Sequence, residues 1–154
     1  IRKFIKEDKF DKIIKLSIIN HNRNEIQEGI SEREKLHCKI IRDADKTDIF
    51  KILVTGDKKT VWEKADLSED KISDEIYREF IEEQKINYKE RRTSADILVC
   101  HFCYIYDLNF AITKKIIKEN NYIDKLYKRF IFNDIETMKR FNNIYKISKE
   151  YIEK

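Results

Sequence analysis

Across 154 residues there is no proline, and the only glycines are Gly29 and Gly56. These two residue types are the strongest punctuators of regular structure, so a chain this poor in them has little material for tight turns. Lysine, glutamate and isoleucine prevail. The first two are good helix formers, whereas isoleucine alone would suit strands equally well. The fold class expected is all-α. Apolar residues make up 41% of the chain and charged residues 40%, enough for a real core beneath a heavily charged surface. One domain is expected at this length, with a smaller satellite packed against it as the variant.

The most ordered pattern lies in residues 32–54. Ser31 is placed as an N-cap and Glu34, three residues on, completes a capping box. Beyond it Leu36, Ile40, Ile41, Ala44, Thr47, Asp48 and Ile52 recur at helical spacing and mark the face expected to turn inward. At about 100° per residue, Asp48 falls near the middle of that arc, Asp45 at its edge and Asp43 on the opposite side. Inward carboxylates need a metal ion, a basic partner or a helix terminus, because an unpaired buried charge is costly. Ion pairs and helix-to-helix hydrogen bonds are the ordinary ways of meeting that need. Asp43 carries no such requirement on this reading.

The segments around it read as further helices. Phe10, Ile13, Ile14 and Ile18 make an apolar face, in a segment that also holds Ile1, Phe4 and Ile5, and His21 closes it. Residues 55–68 read as a linker broken by Gly56, with Val61 and Trp62 folding back onto the core. Ser68 is expected to cap a helix bearing Ile72, Ile76 and Phe80. Thr93 or Ser94 caps a segment that is apolar nearly all round, from Ile97 to Ile105, and this is the expected central buried helix. Phe110, Ile112, Ile116 and Ile117 mark the next helix, and Ile123, Leu126, Tyr127, Phe130 and Ile131 a short one. Asp134 caps the last, with Ile135, Met138, Phe141, Ile144 and Tyr145 as its core face.

Charge and cysteine usage exclude several classes. The 33 basic and 29 acidic residues are interspersed and leave a formal charge of only +4, which describes a solvated surface better than a nucleic-acid footprint. Three cysteines give no disulfide framework, and a reducing cytoplasm is the expected location. Cys100, His101 and Cys103 fall short of the four ligands of structural zinc. The longest apolar stretch, residues 95–108, is far too short to span a membrane.

The stretch IINHN at residues 18–22, followed by EGISEREKLHCKIIRDADKTDIFKI at residues 28–52, resembles the HD-domain superfamily of metal-dependent phosphohydrolases, in particular the rear half of that domain. The tail, including HFCYIYDLNF at residues 101–110, is similar to that of bacterial HD proteins. The resemblance implies a single HD-domain-like helical bundle, incomplete at its N-terminus. Residues 1–54 would be the rear of the HD core, 55–68 the linker and 69–154 additional helices packed on it. It further implies Asp45, in Ala44-Asp45-Lys46, as a metal ligand and His21 as a catalytic group near the metal or the leaving phosphate. Asp48 would orient a neighbouring group, and Arg23 and Lys46 would stand beside the substrate.

The cofactor implied is a divalent metal (Mn, Fe, Co, Mg or Zn). The substrate implied is a phosphorylated small molecule or a nucleotide, with homo-oligomerisation open. The chain departs from the family in lacking any His-Asp dipeptide and any histidine before His21, and in holding Thr47 where leucine is usual. The expectation is therefore an incomplete piece, inactive by itself, of an enzyme whose other ligands lie upstream. The alternative is a helical regulatory or protein-interaction module with a vestigial HD site.

Overall fold

The computed structural model describes residues 3–4, 6–23 and 25–154, so Ile1 and Ile5 of the first apolar segment lie outside the described residues. Eight α-helices follow one another, and the described residues contain no strand: α1 Asp11–Asn20, α2 Glu32–Thr55, α3 Lys58–Trp62, α4 Asp74–Arg78, α5 Ser94–Cys103, α6 Ala111–Glu119, α7 Tyr122–Tyr127 and α8 Ile135–Glu153. A π-helical turn, Glu79–Glu83, prolongs α4, and 3₁₀ turns occupy Tyr88–Glu90 and Tyr104–Asp107. The protein is an all-α helical bundle.

α2 is the longest helix, and its ends are set by chemistry close to what the sequence announces. The Ser31 hydroxyl accepts from the Glu34 amide at 3.3 Å, and the Glu34 carboxylate accepts from the Ser31 amide at 2.8 Å. At the far end a side chain on Gly56 would place its Cβ 2.7 Å from the Ile52 carbonyl oxygen, so only glycine fits that turn. Arg129, from beyond α7, donates to the carbonyls of Leu53 at 2.6 Å and Gly56 at 2.7 Å. A guanidinium there satisfies carbonyls that the helix leaves unpaired and suits its negative end.

The face that α2 turns inward is the reverse of the one its hydrophobic pattern indicates. Cys38, Arg42, Asp43, Lys46, Phe50 and Leu53 are buried. Leu36, Ile40, Ile41 and Ile52 are each 41–46% exposed, and Ala44 and Asp48 are exposed too. The inversion stands because the elements around α2 supply partners for its polar strip. α1, α6 and α7 all pack against it.

Asp43 shows how. It was the carboxylate without a reason to be buried, and it is the most fully bonded one. α6 starts behind Phe110, which has no side-chain oxygen to cap it. Asp43 performs that role from α2, accepting from the Asn109 amide at 2.9 Å, the Phe110 amide at 3.0 Å and the Thr113 hydroxyl at 2.6 Å. The start of α6 is thereby tied to the middle of α2, and the positive end of α6 meets a negative charge.

α5 is the central buried helix expected from its composition, with eight of its ten residues buried. Thr93 and Asp96 form its capping box, and Asp96 also accepts from the Ser73 amide and hydroxyl at 2.8 and 2.7 Å. The stretch read as a linker contains α3, whose Trp62 is fully buried with its ring edge-on to Phe130 at 4.8 Å. Ser68 is not a helix cap. Its amide and hydroxyl bond to Asp66, and the helix starts later, at Asp74 behind Ser73. Asp134 does cap α8, accepting from the Thr137 amide at 2.9 Å. Phe141 and Ile144 of its expected core face are buried, whereas Ile135 and Met138 in the first turn are exposed.

Asp43→Ala leaves two backbone amides and a buried hydroxyl without their acceptor. At about 1–3 kcal/mol for each unsatisfied donor, we expect a loss near 3 kcal/mol in urea denaturation followed by circular dichroism. Asp43→Asn should recover part of it. A loss well under 1 kcal/mol would show that water replaces the carboxylate.

Candidate functional site

Cys38, Arg42, Lys46 and Phe50 follow one another at four-residue spacing, so they share one stripe of α2. The two cations in that stripe form the wall of a polar cavity. Arg42, with only 4% of its side chain exposed, donates to the Asn20 carbonyl at 3.0 Å and to the Arg23 carbonyl, and pairs with the Asp107 carboxylate. It therefore pins the end of α1, the loop that follows it, and the 3₁₀ turn after α5. Lys46, 9% exposed, lies 3.3 Å from Asp45 and 4.0 Å from Asp107, with its ammonium 4.6 Å from the centre of the Tyr104 ring. Burying a lysine is tolerated because two carboxylates and an aromatic face surround it.

The cavity has a volume of about 190 Å³, and its walls include Asn22, Arg23, Arg42, Lys46, Tyr88 and Asp107. Arg23 has no ion pair among the described residues, so it adds an uncompensated positive charge. The phenols of the lining residues are held protonated. Burial raises that of Tyr104 above the usual range and pushes Tyr106 up to about 12. The Tyr106 hydroxyl is buried and has no hydrogen-bond partner among the described residues. Burial likewise raises the Cys103 thiol to about 12, which keeps that wall chemically inert. A small cavity with buried cations and protonated phenols is suited to an anionic oxygen ligand.

The candidate residues divide between two places. Arg23 and Lys46 line the cavity, and Asp45 borders it through its contact with Lys46. His21 ends α1 immediately before two lining residues, Asn22 and Arg23. Its Nδ1 donates to the Ile18 carbonyl at 2.6 Å, which leaves Nε2 as its available nitrogen. Asp48 is elsewhere, on the exposed apolar groove between α2 and α6. Among the described residues, no three His, Cys, Asp or Glu side chains are grouped closely enough to hold a metal ion. The donor set present thus does not fit a metal centre by itself.

Arg42, Asp107 and Tyr106 were not singled out from sequence. A polar position within a helical stripe, as at Arg42, ordinarily marks the solvent side, and nothing local in the sequence links Arg42 to Tyr106 or Asp107. His101 lies outside the cavity walls. Its Nδ1 accepts from the Trp62 indole at 3.0 Å, and its ring meets Tyr104 edge-on, so it is a packed core histidine. The chain matches no family model, no curated protein and no solved structure.

Burial lowers the His101 pKa to about 4, against about 6.5 when exposed. The unfolded chain therefore binds a proton between these values that the folded chain refuses. Its contribution is present above pH 6.5 and is lost progressively as the pH falls through about 4. Denaturant unfolding at stepped pH should show this slope between pH 6.5 and 4, and His101→Gln should flatten it. An unchanged slope in the variant would place the acid sensitivity elsewhere.

Proposed function

We propose that this chain forms one wall of a phosphoester-hydrolysing site of the HD-domain type, metal-dependent in the intact protein. The observation that carries this reading is the buried Lys46 beside Asp45, in the Ala44-Asp45-Lys46 context, opening onto a cavity whose other cations are Arg42, Arg23 and Lys85, the last paired with Glu25. Lys46 and Arg23 would hold phosphoryl oxygens, with Arg42 setting the position of the loop that carries Arg23. Asp45 would be the carboxylate turned toward a metal, and His21 the flanking imidazole. One carboxylate does not make a metal site, so no catalytic step is assigned to these residues, and hydrolysis by the chain alone is not expected.

The second reading, a helical interaction module keeping a vestigial site, is favoured by one observation: α2 turns its aliphatic stripe to solvent.

Calorimetric titration separates the two. Inorganic phosphate should bind the chain, and Lys46→Ala should weaken it by about ten- to a hundredfold, as expected for loss of a charge-assisted hydrogen bond. Mn²⁺, Co²⁺ and Fe²⁺ should bind no better than they bind Asp45→Ala. Phosphate that fails to bind, or binds Lys46→Ala equally well, sinks the phosphoester reading. Stoichiometric metal binding lost in Asp45→Ala would instead show that the chain completes a metal site itself.

A further inference from the structure

The cavity beside α2 has a neighbour. A second hollow, of about 380 Å³, has Lys64, Arg91, Arg92, Thr93 and Ser94 in its walls, and Tyr88 belongs to the walls of both. Tyr88 opens the 3₁₀ turn Tyr88–Glu90 and is 39% exposed. Its ring is therefore a ridge at the surface, reached from either hollow, and not a partition sealed inside the fold.

The charge of the second hollow is set by Arg91. Its Nε donates to the Tyr88 carbonyl at 2.9 Å, and its guanidinium lies 5.4 Å from the centre of the Tyr88 ring. It has no ion pair among the described residues, so its terminal nitrogens keep their hydrogens for a ligand. The other charges are more nearly balanced. Lys64 pairs with Asp70 at 2.5 Å, Arg92 faces Glu75 at 3.7 Å, and Glu63 is the acidic residue in the walls. The start of α5 offers no free donors there, because the Arg92 and Thr93 amides donate to Asp96 and the Ser94 amide to Asp70. An anion in this hollow would be held by a guanidinium and not by a helix end. The Arg91 charge also reaches the first cavity: burial raises the Tyr104 phenol in its wall, and Arg91 opposes the rise.

Two cationic hollows that share one aromatic ridge suit one ligand with two charged ends. We propose that the site takes a phosphorylated small molecule carrying a second anionic group. Lys46 and Arg23 hold the phosphate, Arg91 holds the second group, and the connecting part of the ligand lies over Tyr88. The two groups stand on either side of a residue, so a spacer separates them, and pyrophosphate, whose phosphorus atoms share one oxygen, is too short. The proposal rests on the phosphate reading of the first cavity and adds the other end of the ligand. Joining the two ends makes the second contact intramolecular once the first is formed.

The test compares hexyl phosphate with hexane-1,6-diol bisphosphate, which has the same spacer and one more phosphate. Calorimetric titration should show the bisphosphate binding at least about tenfold more tightly, beyond the statistical factor of about two. Arg91→Ala should remove that advantage and leave hexyl phosphate unchanged, whereas Lys46→Ala should weaken both. Lys118→Ala, which removes one exposed charge on α6 outside both hollows, should leave the advantage in place. Arg91 is exposed, so thermal unfolding should confirm that its variant folds.

Three results overturn the proposal: the bisphosphate gains no more than the statistical factor, Arg91→Ala costs it no more than Lys118→Ala does, or a single-stranded oligonucleotide outbinds it. The last would make a nucleic-acid backbone the ligand. Hexyl phosphate that binds through Lys46 while the bisphosphate gains nothing removes this inference alone. Hexyl phosphate that fails to bind removes the cavity reading, and this inference with it.

Discussion

The structure depends on a polar strip placed where an apolar one is normal. Arg42 and Asp43, adjacent on α2, point to different neighbours, and each ends in a set of fixed partners. Arg42 collects two backbone carbonyls and a carboxylate from segments that precede and follow it by many residues. Asp43 collects two amides and a hydroxyl at the start of α6. Buried charge is costly unless its hydrogen bonds are met, and here they are met by groups that themselves lacked partners. The carbonyl of Asn20 at the end of α1 and the uncapped start of α6 both need a charge that their own segments do not provide.

That arrangement has two consequences for function. The side of α2 that carries Arg42 and Lys46 becomes the wall of a small cavity, already formed, in which charged and phenolic groups are held by their neighbours. The opposite side carries the aliphatic residues that would otherwise fill a core, and it faces outward along α6. The cavity and the groove are therefore two faces of one helix. A rotation of α2 that buried Leu36 and Ile40 would withdraw Arg42 and Lys46 from their partners.

Much of the local architecture was legible. The capping boxes at Ser31–Glu34 and Thr93–Asp96 and the cap at Asp134 depend on residues three apart, and such contacts are written into sequence. The buried helix α5 is apolar on every side, so no choice of face arises. Trp62 was readable as a core residue because a large indole rarely stays in water. The candidate site was legible only in part: Arg23, Lys46 and Asp45 came together, while Asp48 went to the groove, and Arg42 and Asp107, 65 residues apart, left no local signal.

The sequence by itself determined that the chain is helical, where its main helices start and which helix is buried all round, because caps and periodicity act within a few residues. Only the tertiary structure decided which face of α2 turns inward. Hydrophobic periodicity locates an apolar face but contains no information about unpaired donors and acceptors elsewhere in the fold. Those groups, brought up by α1, α6 and the turn at Asp107, made the charged face the one to bury.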